Sequence, residues 1–348
     1  MRERPRVDGR ERNDFLPAAR GGRMEYTTLG GSGTKVSRIG IGTNTFGGDA
    51  DWHLSAEEAQ DVVDTAIDHG INFFDTANAY NTGESERVLG EALDGYDRDR
   101  QVIATKVYFQ MDDDDPNSGG LSRKAIEQEL ANSLDRLGTE AIDLYQIHRW
   151  DDETPIEETL RTLDDAVRRG DVRHVGASSM WAHQFAEACH AAERGGHEPF
   201  VTMQNHYNLA YREEEREMVP FCEKTGVGLI PWSPLARGYL TRPHDELEST
   251  VRGETDQYLH ERLTTYAAGG GREVNERVEE LAAEKGVEMA QLALAWLLHQ
   301  DAVDAPVVGA RKPEYVVDAV EALDVDLSDS DLDWLAEPYE PVPIDGHS

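Results

Sequence analysis

Eight short apolar runs, seven of them separated by helical patterns, constrain the fold of this chain more than any other feature. They are 39–42 (IGIG), 71–75 (INFFD), 101–106 (QVIATK), 142–148 (IDLYQIH), 173–178 (RHVGAS), 201–205 (VTMQN), 227–232 (VGLIPW) and 305–309 (APVVG). Between them lie a helical pattern capped by Ser55 that stops at Gly70, further ones over 84–93, 122–138 and 155–170, and helices opening at Trp181 and Arg212. Apolar strands alternating with amphipathic helices imply a parallel sheet covered by helices. Eight such units over this length favour a closed (β/α)8 TIM barrel over an open doubly wound sheet, whose usual count is about six strands. Ahead of the first run, 26–39 reads as a β-hairpin with a Gly-rich turn that caps the bottom of the barrel. The long stretch from Ala236 to Gly271 is too polar and irregular for core and reads as an excursion over the active face.

A single domain over 24–348 is expected, preceded by a tail. The first 23 residues carry seven Arg and no apolar h-region, so they do not read as a secretory signal. A disordered tail is expected there, and since Met24 opens the first patterned segment, an upstream start or an expression remnant explains it as well as a function does. No run approaches the roughly 18 apolar residues of a membrane helix. Net charge is −35, with 69 acidic residues against 34 basic ones, a balance that argues against nucleic acid. The acids are spread along the chain, which suggests a salt-adapted cytoplasmic protein. Cys189 and Cys222 form no C-x-x-C pair, so neither a disulfide framework nor a zinc site is expected.

In a (β/α)8 barrel, catalytic groups sit at the C-terminal ends of strands and in the loops that follow. Asp75, Lys106 and His148 end three consecutive runs, and Tyr80 lies just beyond Asp75. Singly, each has a structural explanation: an N-cap, a loop aromatic, a snorkelling lysine and a satisfied core histidine. Together they are harder to dismiss, because a Lys and an Asp ending neighbouring apolar strands must pair or bear a large desolvation cost. A tyrosine hydroxyl titrates near pH ~10 and is a poor acid at neutrality, but an adjacent ammonium makes donation feasible. Asp75 would hold Lys106 charged, Lys106 would activate Tyr80, and His148 would orient a substrate oxygen. That set suits reduction of a carbonyl, with hydride to carbon and a proton to oxygen.

On these residues the chain resembles the aldo-keto reductase superfamily from Met24 onward. The resemblance rests on GGSGTKVSRIGIGTNTFGG, INFFDTANAYNTGESERVLGEAL, ATK, DLYQIH, VRHVGASS, MQNHYNL, IPWSPLARGYL and PVVGARKPE. It implies an eight-stranded α/β barrel, NADP(H) as the usual cofactor, and a tetrad on Asp75, Tyr80, Lys106 and His148. Like the family, the chain has no G-x-G-x-x-G fingerprint. The resemblance puts Thr43, Ser178, Ser179 and Gln204 near the nicotinamide, Trp232 stacked on its ring, and Ser233, Leu235 and Arg237 at the pyrophosphate. The adenosine end would fall on Gly309, Arg311, Tyr315 and Asp318. Here the chain departs from many relatives at Tyr315, Asp318 and Ala319, as it does at Ser179. Arg311 and Lys312 remain as cations for a 2′-phosphate, which favours NADP(H) with NAD(H) as the alternative.

Phe46, Arg149 and Trp150 could line a substrate pocket or simply pack. His183, His190 and His197 recur every seven residues, but the Gly pair at 195–196 argues against a shared metal site. The run Asp112 to Asp115 lacks the Gly and closing Glu of a calcium loop. Two functions stay open. One is a reductase of small-molecule aldehydes or ketones, most like the aryl-alcohol-dehydrogenase-like branch. The other is a cofactor-sensing regulatory subunit like the potassium-channel β subunits of that superfamily.

Overall fold

The computed structural model describes residues 24–247, 257–344 and 346–347. The expected tail over residues 1–23 lies outside them. Eight strands form one parallel sheet: β3 (Gly40–Gly42), β4 (Phe73–Asp75), β5 (Val102–Val107), β6 (Ile142–Ile147), β7 (Val172–Ser178), β8 (Phe200–Gln204), β9 (Gly228–Leu229) and β10 (Val307–Gly309). Each pairs with its successor through β9, and β10 pairs back onto β3. Backbone contacts join the two remaining edges: the Val307 amide donates to Pro231 O at 2.8 Å, and Trp232 bridges Val307. The chain is therefore a (β/α)8 barrel.

The expected helices lie between the strands as α1 (Ala56–Asp68), α2 (Glu84–Leu93), α3 (Arg123–Leu137), α4 (Ile156–Arg169), α5 (Ala182–Gly195) and α6 (Met218–Thr225). Their ends follow from the sequence. Ser55 and Glu58 form a capping box on α1, and Ser122 accepts from the Ala125 amide at the start of α3. Towards the C-terminus come α7 (Gln257–Ala268), α8 (Gly271–Lys285), α9 (Met289–Leu298), α10 (Pro313–Glu321) and α11 (Asp329–Ala336). The segment opening at Arg212 differs slightly from expectation. A short turn over Glu213–Arg216 precedes α6, because buried Glu213 accepts from Tyr339 Oη and the Val342 amide of the C-terminal segment.

Strand alternation sorts the side chains. Phe73, Ala104, Leu144, Val201 and Ile230 fill the barrel, while their neighbours Phe74, Ile103 and Tyr145 pack under the helices. The hairpin of β1 (Tyr26–Thr28) and β2 (Lys35–Ser37) closes the lower end, inserting Leu29 and Val36 into the interior cluster. Its turn depends on Gly30, whose φ is +53° and where a Cβ would stand 1.7 Å from Val201 O. Polar groups are thus pushed to the upper rim.

The stretch from Ala236 to Gly271 corrects its expectation in part. Gly238, Tyr239, Thr241, Arg242, Glu246, Leu247 and Leu263 do wall the upper cavity, but Tyr239, Leu240 and Tyr266 are fully buried. Asn275 of α8 makes this possible by donating to Tyr239 O and Arg242 O at 2.5 and 2.9 Å. Residues 248–256 of this stretch lie outside the described residues.

Candidate active site

Asp75 and Lys106 enter the barrel from adjacent strands, β4 and β5, and both side chains are buried. Lys106 Nζ donates to Asp75 Oδ1 at 2.5 Å, to Thr76 O at 2.8 Å and to Tyr80 Oη at 3.3 Å. The other carboxylate oxygen accepts from Gln146 Nε2 at 3.0 Å and Gln204 Nε2 at 2.7 Å. The ring of Tyr80 meets that of His148 edge-on at 5.8 Å. Strand boundaries differ from expectation by one residue: β5 runs one beyond Lys106, and His148 follows β6 directly. Asp75, Tyr80 and His148 line one cavity, and Lys106 is buried against Asp75 and Tyr80.

Tyr80 owes its position to an unusual turn. It opens a 3-10 turn, Tyr80–Gly83, in which Asn81 and Thr82 adopt left-handed φ values of 50° and 54°. Non-glycine residues rarely sit there, and such strain concentrates at functional sites. Asn81 Nδ2 anchors the turn on Phe46 O at 2.7 Å.

Burial and charge set the protonation states. Burial works against the Lys106 ammonium, but the facing Asp75 carboxylate and Tyr80 outweigh it, so the net shift is upward and the charge is kept. His148 goes the other way: burial, then the cations of Lys106 and Arg149, push it well below the ordinary histidine range. Its imidazole is neutral. Its Nδ1 is buried with no hydrogen-bond partner among the described residues.

The cavity above these groups has a volume of about 810 Å³. Asp75, Tyr80, His148 and Arg149 stand at one end, and Gly309, Arg311, Tyr315 and Asp318 line it too. Ser178, Gln204, Trp232, Ser233, Leu235 and Arg237 form further parts of the wall. One face of Trp232 is filled by His206 at 4.2 Å and 13°, and His206 is itself stacked on Tyr211. The indole Nε1 donates to Ser179 Oγ at 2.9 Å. The ring is fixed and half-buried, with the Arg237 guanidinium over it 5.9 Å from its centroid. Ser179, Ser233, Ala236 and Arg237 all carry positive φ, so this wall, like the Tyr80 turn, is strained backbone.

A nicotinamide dinucleotide fits these residues. Arg237, Arg242 and Arg311 line the cavity of a chain whose net charge is −35 and, although Glu246, Glu288 and Asp318 line it too, offer guanidinium donors to phosphates. The fixed indole suits a flat ring.

Five of the expected site residues do not line the cavity wall, Lys106 among them because its ammonium is taken up by Asp75, Thr76 and Tyr80. The Thr43 hydroxyl is committed to Ser85 Oγ at 2.8 Å and Asp75 O at 3.2 Å. Ser179 acts through Trp232. Phe46 is fully buried in the core, and Trp150 packs against that core beneath the rim. Lys312 turns to Glu314 at 3.2 Å, leaving Arg311 as the cation of that pair on the wall. Ala319 lines the cavity beside Asp318, whose carboxyl is raised by burial and then by Glu321, Glu288 and Glu314. His197 lies past the α5 cap Gly196 and faces Asp164 at 3.5 Å.

Other wall residues escaped sequence reasoning: Asn44, Phe109, Arg242 and Glu288. Gln146, which holds Asp75, was legible by alternation. It lies two residues before His148, on the same face of β6. Its room comes from Gly176 on the paired strand, where a Cβ would stand 3.1 Å from Gln146 Cγ.

The aldo/keto reductase family model matches residues 38–340. A protein of Schizosaccharomyces pombe named as an aryl-alcohol dehydrogenase is 45% identical, over 92% of this chain and 97% of its own length. The versiconal hemiacetal acetate reductase of Aspergillus parasiticus is 42% identical, over 92% and 98%. An aldo-keto reductase of Alternaria alternata is 39% identical, over 97% of each. The chain belongs to the aldo/keto reductase family.

Proposed function

We propose that this protein is an NADP(H)-dependent oxidoreductase that reduces aldehydes or ketones to alcohols, with Tyr80 as proton donor. The observation that carries the reading is the buried Lys106 ammonium, bonded at once to Asp75 and to Tyr80 Oη. A cofactor in the cavity would lie with its ring against Trp232, near Ser178 and Gln204. Its phosphates would meet Ser233, Leu235, Arg237 and Arg242, and its adenosine end Gly309, Arg311, Tyr315 and Asp318. Bound there, it supplies hydride to the carbonyl carbon. Tyr80 Oη gives its proton to the carbonyl oxygen, and the ammonium 3.3 Å away stabilises the negative charge left on the phenolate. A solvent proton restores the hydroxyl. The neutral imidazole of His148 offers an N–H to the same oxygen without adding charge.

Arg311 supports NADP(H) over NAD(H), since a guanidinium on the wall can meet a 2′-phosphate. The relative named as an aryl-alcohol dehydrogenase, together with Phe109 on the wall, supports an aromatic aldehyde as substrate. The even acidity of the chain and its two free cysteines support a reducing, salt-rich cytoplasm. Among the described residues, no helix is long and apolar enough to cross a membrane. NADPH oxidation against a panel of aromatic and aliphatic aldehydes tests the reading. Turnover is expected; cofactor binding without turnover would favour the regulatory alternative.

A further inference from the structure

Behind the cavity, on the helix side of the barrel, lies a polar cluster that the reaction as described does not use. Arg136 of α3 donates from Nε to Glu86 Oε2 at 2.6 Å and from a terminal nitrogen to Glu129 Oε2 at 3.5 Å. Both carboxylates are buried. Glu86 Oε1 accepts from Thr105 Oγ1 at 2.5 Å, and Glu129 Oε2 accepts from Asn78 Nδ2 at 3.0 Å. Thr105 and Asn78 are themselves fully buried.

Two buried carboxylates share one guanidinium, so the cluster carries an excess negative charge. Nearby Tyr145 registers it: burial, then Glu86 and Glu129, push its hydroxyl well above the ordinary tyrosine range. An arrangement of this kind is a poor way to stabilise a fold, since apolar packing would serve as well or better. What it does accomplish is attachment. Thr105 immediately precedes Lys106 on β5, its side chain turned outward as that of Lys106 turns inward. Asn78 lies two residues before Tyr80, and its backbone N–H donates to Lys106 O at 3.2 Å. The shaft of Arg136 also supports the far end of the Tyr80 turn: a Cβ at Gly83, where φ is +88°, would stand 2.7 Å from Arg136 Cδ. One guanidinium therefore joins the loop that carries the proton donor to the strand that carries its ammonium.

We propose that Arg136, acting through Glu86–Thr105 and Glu129–Asn78, is a positioning device that holds Tyr80 Oη within hydrogen-bond reach of Lys106 Nζ. The proposal rests on the reading of Tyr80 and Lys106 as the proton-transfer pair. None of the five residues lines the cavity, so each acts through another group.

A charge-conserving exchange tests it. Asn78→Asp alone sets two carboxylates against each other, and Glu129→Gln alone leaves the 78–129 contact without its acceptor charge. Combined, they restore the contact with reversed polarity. The amide nitrogen introduced at position 129 can donate to the carboxylate introduced at 78, while the amide oxygen beside it still accepts from Asn132. The exchange gives up the 3.5 Å Arg136 contact to Oε2 and leaves Arg136 paired with Glu86. Steady-state kinetics on an aldehyde the wild type reduces should show kcat lowered by about tenfold or more in each single variant. Cofactor Kd should hold and the solvent deuterium isotope effect on kcat should rise. The double variant should recover part of the loss, with Arg136 still held by the Glu86 arm. Thr105→Val, a milder change on the other arm, should move kcat and the isotope effect in the same direction.

Crystal structures of the wild type, Glu129→Gln and the double variant read the separation without turnover. Oη should leave hydrogen-bond distance of Nζ in the single variant and return in the double. The proposal is overturned if folded single variants keep wild-type kcat and separation. It is equally overturned if they lose thermal stability with an unchanged isotope effect, or if the double variant is no better than the worse single. A wild type that reduces no aldehyde would refute the assigned reaction instead, and the three structures would still decide the positioning.

Discussion

Lys106 Nζ stands 2.5 Å from Asp75 Oδ1, with the lysine side chain wholly buried and the aspartate 2% exposed. Removing one partner strands the other, and a buried unpaired charge is far more harmful than a missing pair. Lys106→Met should therefore lower unfolding free energy by about 3–5 kcal/mol, with Gln146 and Gln204 left as the carboxylate's neutral donors. Asp75→Asn combined with Lys106→Met should recover part of that loss. Urea unfolding of the single and double variants measures both.

Two buried histidines should make the protein acid-sensitive. Burial first, then Lys106 and Arg149, depresses His148; burial first, then Arg262, Arg237 and His347, depresses His206. In the unfolded chain each takes a proton near pH ~6.5, while the folded chain resists until a much lower pH. Their stabilisation is complete above that value and is lost as pH falls below it, by up to about 1.4 kcal/mol per pH unit for each histidine. Thermal melts from pH 8 to 5 should show the decline, and His206→Gln should shallow it. A decline identical in that variant would contradict the assignment.

On the proposed reading, Arg311 should separate the two cofactors. Loss of a charge-assisted bond to a 2′-phosphate is worth about 1.5–3 kcal/mol, so Arg311→Ala should raise KM for NADPH roughly tenfold or more. KM for NADH should change much less. Equal effects on both, or a wild-type preference for NADH, would remove the 2′-phosphate from this end of the cavity.

An excess of 35 negative charges repels itself at low ionic strength. Added KCl shortens the Debye length from about 10 Å at 0.1 M to about 3 Å at 1 M. Melting temperature and turnover should both rise between low and multimolar KCl. Flat or falling profiles would exclude salt adaptation.

The barrel was legible because its strands are apolar and its helices amphipathic, so INFFD, QVIATK and IDLYQIH declared themselves in order. The catalytic end was legible for the same reason: Asp75, Lys106 and His148 are polar groups finishing apolar runs. What escaped were contacts made across the chain by residues ordinary in local context. Arg242 and Glu288 look like surface residues until the fold turns them into one cavity. Phe46, open in the sequence to either pocket or packing, is drawn into the core, and Thr43 spends its hydroxyl on Ser85. The buried carboxylates Glu86 and Glu129 read as the polar face of α2 and α3, because nothing near them in sequence announces Arg136 as their shared partner.

Tyr80→Phe tests the central claim most directly, since it removes one oxygen and keeps the ring that meets His148. Fluorescence titration with NADPH should give a Kd close to wild type. Turnover on an aromatic aldehyde should fall by about a hundredfold to ten-thousandfold, the range a positioned general acid contributes. Near wild-type turnover in that variant would contradict the account.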